Sequence, residues 1–144
     1  MKPFVIRSIF AAPVVGLALV ASFAPGVQAR TLPTEQMRGG VHFISGGIGA
    51  DESAAMQRAA AHYALELVFA ARDGANRGDY LAYVPVTIRD SDGRTVLHTR
   101  TRGPYLLANL PDGTYNVIAT EHGVAKQQVV HVSPGTHQSV VFEW

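Results

Sequence analysis

The sequence predicts a mostly β domain: a seven-stranded antiparallel β-sandwich with one short N-terminal helix. Three observations carry that expectation. From Leu65 onward, apolar residues recur at every second position, the period of a half-buried strand. Clusters of Gly, Pro, Asp and Ser separate these runs at intervals of roughly 8 to 12 residues, the spacing of a sandwich. Alternation, rather than continuous apolarity, implies that one face of each strand meets water, as antiparallel sheets permit.

Residues 1–29 are set apart as a secretory signal. Lys2 and Arg7 give a positive start, and Ile9 to Phe23 carries no charge. Val27 and Ala29 are compact residues at the −3 and −1 positions of a cleavage after Ala29, so the processed chain is expected to start at Arg30. The apolar run is about 15 residues, short of the roughly 20 that cross a bilayer. No membrane span is therefore expected after cleavage, and the expected location is the periplasm. Lipid attachment lacks a cysteine, and a twin-arginine route lacks its arginine pair.

Residues 30–40, with Pro33 and Gly39-Gly40, show no sustained apolar period and are expected to be a flexible arm. The sandwich domain is expected over 41–144. Val41 to Ser45 suits a short strand, and the run SGGIGA then breaks regularity. A helix is expected at about 51–62. Asp51 can cap it, Glu52 suits the positive end of its dipole, and its alanines are strong helix formers. Met56, Ala59, Ala60 and Tyr63 form its apolar stripe. Strands follow from Leu65, from Tyr80 to Arg89, from Thr95 to Thr101 and from Tyr105 to Leu110. Further strands run through Tyr115–Ala119, Ala125–Val132 and Ser139–Trp144. The turns are Asp90–Gly93, Pro111–Gly113, Glu121–Gly123 and Ser133–Gly135.

Composition excludes several functions. Removing 29 residues from 144 leaves 115, which hold all 11 acidic residues and 10 of the 12 basic ones. The pI of 8.2 for the whole chain thus overstates its basicity. A nearly neutral domain carries no footprint for nucleic acid. With no cysteine there is no disulfide framework, so the core alone must hold the domain.

Tyr83 to Trp144 resembles the carboxypeptidase regulatory-like domains. The likeness rests on Val84-Pro85-Val86-Thr87-Ile88-Arg89-Asp90 with Asp92-Gly93, then on Gly103-Pro104-Tyr105-Leu106-Leu107 and Leu110-Pro111-Asp112-Gly113-Thr114-Tyr115-Asn116-Val117. Leu110 and Tyr115 bracket a tight turn and enter one core. The resemblance implies a transthyretin-like (prealbumin-like) sandwich acting as an accessory module that binds proteins, sugars or surfaces. The whole chain is also similar to small periplasmic proteins of proteobacteria that carry such a domain, which implies no activity.

Chemistry-bearing residues are scattered. Six histidines, His42, His62, His98, His122, His131 and His137, suggest a copper or zinc site, with His98 and His131 as the candidate ligands if their strands are neighbours. No pair has helix spacing, and surface histidines explain the pattern as well. A transthyretin-like hydrolase would close on Tyr-Arg-Gly-Ser, whereas this chain ends Val140-Val141-Phe142-Glu143-Trp144. Glu66 and Glu121 are isolated carboxylates. Gly46-Gly47-Ile48-Gly49 lacks the Lys-Ser/Thr of a phosphate loop. Tyr80, Tyr83 and Tyr105 are candidate exposed aromatics of a binding face. The leading expectation is a non-enzymatic periplasmic module, with no catalytic residues and no cofactor, that binds an envelope protein or a polysaccharide. Metal handling and hydrolysis are the alternatives, and the oligomeric state is open.

Overall fold

The computed structural model describes residues 31–72, 74 and 78–144. The expected signal segment, with its cleavage at Ala29, lies outside the described residues. Among these residues no helix is long and apolar enough to cross a membrane.

Among the described residues ten strands, not seven, form two sheets. They are β1 (Gln36–Arg38), β2 (Val41–Gly46), β3 (Leu65–Arg72), β4 (Gly78–Tyr80), β5 (Pro85–Arg89), β6 (Thr95–Arg100), β7 (Tyr105–Asn109), β8 (Gly113–Glu121), β9 (Val124–Val132) and β10 (Gln138–Glu143). β1 and β4 span three residues each, too short for alternation to announce them. β1 falls inside the segment expected as an arm. The first sheet runs β1-β2-β7-β3-β10, with β4 also on β3, and the second runs β6-β5-β8-β9.

The sandwich is not antiparallel throughout. β10 lies parallel to β3, from Gln138 opposite Leu65 to Glu143 opposite Ala70. The cause is the connection. β9 belongs to the second sheet, and residues 133–137 carry the chain across to the first instead of folding it into a hairpin. A hairpin forces reversal of direction; a crossover does not.

Between the sheets lies the main core, which includes Phe43, Leu65, Leu67, Phe69, Val86, Ile88, Leu106, Val117 and Phe142. The expected face of Val84, Val86 and Ile88 is fully buried. Phe69 and Phe142 stack at 5.8 Å, and Phe142 and Trp144 at 6.1 Å. Leu110 and Tyr115 both join this core, and the Tyr115 hydroxyl donates to the Pro111 carbonyl at 2.6 Å. That bond closes the turn between β7 and β8. His122 (φ 45°) and Gly123 (φ 79°) make the next hairpin with two left-handed residues, as a two-residue turn between twisted strands requires.

A second core explains why β7 is buried on both faces. The helix α1 (Ala50–Ala59) and one turn of 310 helix (Ala60–His62) cover the outer side of the first sheet. Met56, Ala59 and Ala60 pack there on Ile44, Tyr105 and Leu107, with Tyr63 and Val68 at the margin. The expected stripe is the stripe that docks. Asp51, however, is not the cap. Gly49 takes that position at φ 84°, with no side-chain cap, and Asp51 sits in the first turn. Glu52 instead accepts from the Gly47 amide at 2.6 Å, folding the glycine loop onto the helix start. Gly47 must lack a side chain, since a Cβ there would meet the Tyr105 ring at 2.4 Å.

Candidate functional site

The two open sides of the sandwich are built differently, and the contrast locates the site. On one side the edge strands β9 and β10 face each other. Gln128 Nε2 donates to the Val141 carbonyl at 3.0 Å, and Lys126 Nζ donates to the Glu143 carbonyl. Trp144 Nε1 reaches back to the Val124 carbonyl at 2.9 Å, and Lys126 stands 6.0 Å from the Trp144 ring centre. Polar side chains here are spent on the free carbonyls of a sheet edge, a protection against edge-to-edge pairing.

On the other side β1 and β6 are the edges. Gln36 stands opposite Phe43 and Arg38 opposite Val41, so both share the parity of the buried face. Met37, between them, is 64% exposed. The pattern of β1 is thus inverted: polar residues toward the gap, apolar toward water. An apolar pair would have closed the sandwich. Instead a cleft of about 300 Å³ is left, lined by Gln36, Arg38, Phe43, Pro85, Arg100 and Arg102, together with Ser45, His98 and Thr99. Among the described residues no acidic side chain lines it. Arg38 donates to the His98 carbonyl at 3.2 Å. Among the described residues the guanidinium groups of Arg100 and Arg102 meet no protein partner, and none of the three arginines is ion-paired.

Buried hydroxyls hold the rim. The Ser45 hydroxyl donates to the Tyr105 carbonyl at 3.0 Å and accepts from the Arg102 amide at 2.9 Å. Thr101, wholly buried between Arg100 and Arg102, accepts from the Val84 amide through Oγ1 at 3.0 Å. Its carbonyl accepts from the Tyr83 amide at 2.9 Å. Tyr83 has φ 61°, a left-handed conformation uncommon for an aromatic residue, yet it is 63% exposed. The fold therefore holds an exposed tyrosine in a strained conformation beside the arginines.

The other expected site residues fall elsewhere. Tyr80 is exposed, but Tyr105 is buried under α1 and is not part of a surface, because the helix covers its strand. Their rings lie 5.9 Å apart, and Gln57 donates to the Tyr105 hydroxyl at 2.8 Å. Burial pushes the Tyr105 hydroxyl up, but hydrogen bonds with Gln57, Ser53 and Tyr80 outweigh it and leave it below its ordinary value. The same bond to Tyr105 pushes Tyr80 up.

His98 and His131 do not converge. They sit on β6 and β9, opposite edges of the second sheet with β5 and β8 between them. Each is tied to a threonine on its neighbouring strand: His98 Nδ1 to Thr87 Oγ1 and His131 Nδ1 to Thr114 Oγ1, both at 2.9 Å. Among the described residues no group of three or more His, Cys, Asp or Glu is placed to hold a metal ion. Glu66 and Glu121 lie on strands of different sheets. Glu66 meets His137 Nε2 at 3.4 Å, and His137 Nδ1 lies 2.8 Å from the Tyr63 carbonyl. This contact ties the start of β10 to β3.

No family model matches the chain, and no curated protein matches it. Two of the solved structures that align with part of the chain come from Bacillus. The Bacillus anthracis TIE protein aligns at TM-score 0.43 and 17% identity over 56% of this chain. BcpA, the major pilin subunit of Bacillus cereus, aligns at TM-score 0.39 and 17% identity, also over 56%. The chain covers 16% and 28% of their respective lengths.

Sequence alone does not bring the arginines of this cleft together. Arg100-Thr101-Arg102 is a local basic cluster on a nearly neutral chain, and that was its one signal. Arg38 stands more than sixty positions earlier, as its bond to His98 shows (a separation of 60).

Proposed function

We propose that the chain is a non-enzymatic interaction module of the bacterial periplasm, and that it binds through the cleft between β1 and β6. One observation carries the reading. Three arginines, two without a protein partner and the third bonded only to a backbone carbonyl, line an open gap at which no carboxylate stands among the described residues. Charges left unpaired at a concave surface are free to engage a ligand. The turn from Leu110 to Tyr115, closed by its tyrosine, supports the finer placement among carboxypeptidase regulatory-like modules.

The test is retention on isolated envelope material. The native protein is expected to cosediment with it, and a variant carrying Arg38→Gln, Arg100→Gln and Arg102→Gln is expected to stay in solution. Equal behaviour of the two proteins would remove the cleft as the binding surface.

A further inference from the structure

We propose that the outer face of the second sheet binds an extended acidic peptide, at a row of side chains formed by Arg89, Asn116 and Val129. β5, β8 and β9 are consecutive in that sheet. Arg89 stands opposite Asn116, and Asn116 opposite Val129. Their chain neighbours Ile88, Val117 and Val130 are buried, so the row itself points away from the core. The helix covers the outer side of the first sheet, whereas Arg89 and Val129 on the second are exposed. The row is also distinct from the cleft, which none of its three residues lines.

Each member of the row lacks a partner of its own kind. Among the described residues the Arg89 guanidinium meets no protein group. Asn116 Oδ1 is buried without a hydrogen-bond donor, the one such atom among the described residues. A buried acceptor left unmet is costly, and its retention calls for a reason. Val129 leaves 58% of an aliphatic residue in water. A cavity of about 310 Å³ joins the three. Asp90 also lines it, but its carboxylate is already taken by the Arg94 and Asp92 amides.

A peptide answers all three needs at once. An acidic side chain takes the guanidinium fork. A backbone N–H donates to Asn116 Oδ1, which the broad terminal torsion of asparagine can turn toward it. An aliphatic side chain covers Val129. Arg89 and Val129 stand two strands apart, about 10 Å, a gap the long arginine can reduce to the about 7 Å between alternate side chains of an extended chain. The expected pattern is therefore an acidic residue two positions from an aliphatic one. Inorganic phosphate brings neither an N–H nor an apolar group. A sugar finds no Phe, Tyr or Trp to stack on at the outward positions of β5, β8 and β9.

The experiment is an NMR titration of the purified protein with the capped peptide Gly-Glu-Thr-Val-Gly, the same peptide with glutamine for glutamate, and N-acetylmuramic acid. The acidic peptide is expected to give saturable shifts at Arg89, Asn116 and Val129 at millimolar concentration, and the glutamine peptide to bind more weakly. Arg89→Gln is expected to lose at least about tenfold in affinity. Asn116→Val should lose about threefold or more while its urea midpoint rises, because the free protein is relieved of an unmet buried acceptor. Arg38→Gln with Arg102→Gln, a change confined to the cleft, should bind the peptide as the native protein does. No saturable shift, or equal binding of the two peptides, overturns the proposal. Peptide binding abolished by the cleft variant overturns it too, and leaves the cleft standing as the binding surface. Binding of the sugar acid through Arg89 and Asn116, without the peptide, overturns the ligand class. A lowered urea midpoint for Asn116→Val would mean that Oδ1 is satisfied within the fold, which overturns the role given to Asn116.

Discussion

Replacing Thr101 with valine is the sharpest perturbation of the scaffold beneath the cleft. Valine matches the shape of threonine, so packing is retained and the hydroxyl is lost. The Val84 amide, buried with its residue, then has no acceptor for its bond of 3.0 Å. Leaving a buried donor unsatisfied costs about 1–3 kcal/mol. For a domain of this size that corresponds to a fall in Tm of roughly 4 °C per kcal/mol. Thr101→Ser keeps the acceptor and removes one methyl, at about 0.5–1.5 kcal/mol by analogy with other single-methyl deletions. Thermal and urea unfolding of both variants is the assay. The valine variant is expected to be the less stable of the two. The opposite order would mean that volume, and not the bond to Val84, is what Thr101 supplies.

Three further perturbations test other parts of the account. Tyr83→Gly relieves a left-handed backbone at an exposed position, so urea unfolding should show stability unchanged or raised by up to about 1 kcal/mol. Met56→Ala empties the centre of the second core; denaturation should show a loss of about 2–5 kcal/mol, with amide exchange rising first across α1. Asp90 accepts from the Arg94 amide at 2.9 Å and the Asp92 amide at 3.0 Å, and those bonds hold its carboxyl below the ordinary carboxylate value, the Arg94 bond most of all. Its contribution is therefore present above the unfolded-state value and lost as pH falls through the depressed one. Asp90→Ala should flatten that acid limb of the stability profile, as measured by urea midpoints at stepped pH.

Several features were legible in the sequence because local chemistry determines them. The face of Val84, Val86 and Ile88 needs only period-two alternation, and the docked helix stripe needs only its 3.6-residue period. The Leu110–Tyr115 turn is set by residues in immediate succession. What escaped depends on distant pairing. Nothing around Gln36–Arg38 marks a strand until β2 lies beside it, and nothing around Gln138–Glu143 says that its partner is β3 in parallel. Tyr105 looked like a surface aromatic because its strand alternates poorly, and the covering helix is the reason. His98 and His131 could be separated only by the strand order. The cleft needed the inverted polarity of β1 and the Arg100–Arg102 pair to be brought to one gap.

The central claim is that the side between β1 and β6 is the binding face, while the β9–β10 side is closed. The direct test is to map amide chemical-shift changes on titration with solubilised envelope material. Shifts concentrated at Gln36–Arg38, His98–Arg102 and Pro85 are expected. Shifts centred on Lys126, Gln128 and Trp144, or spread evenly over the surface, would contradict it.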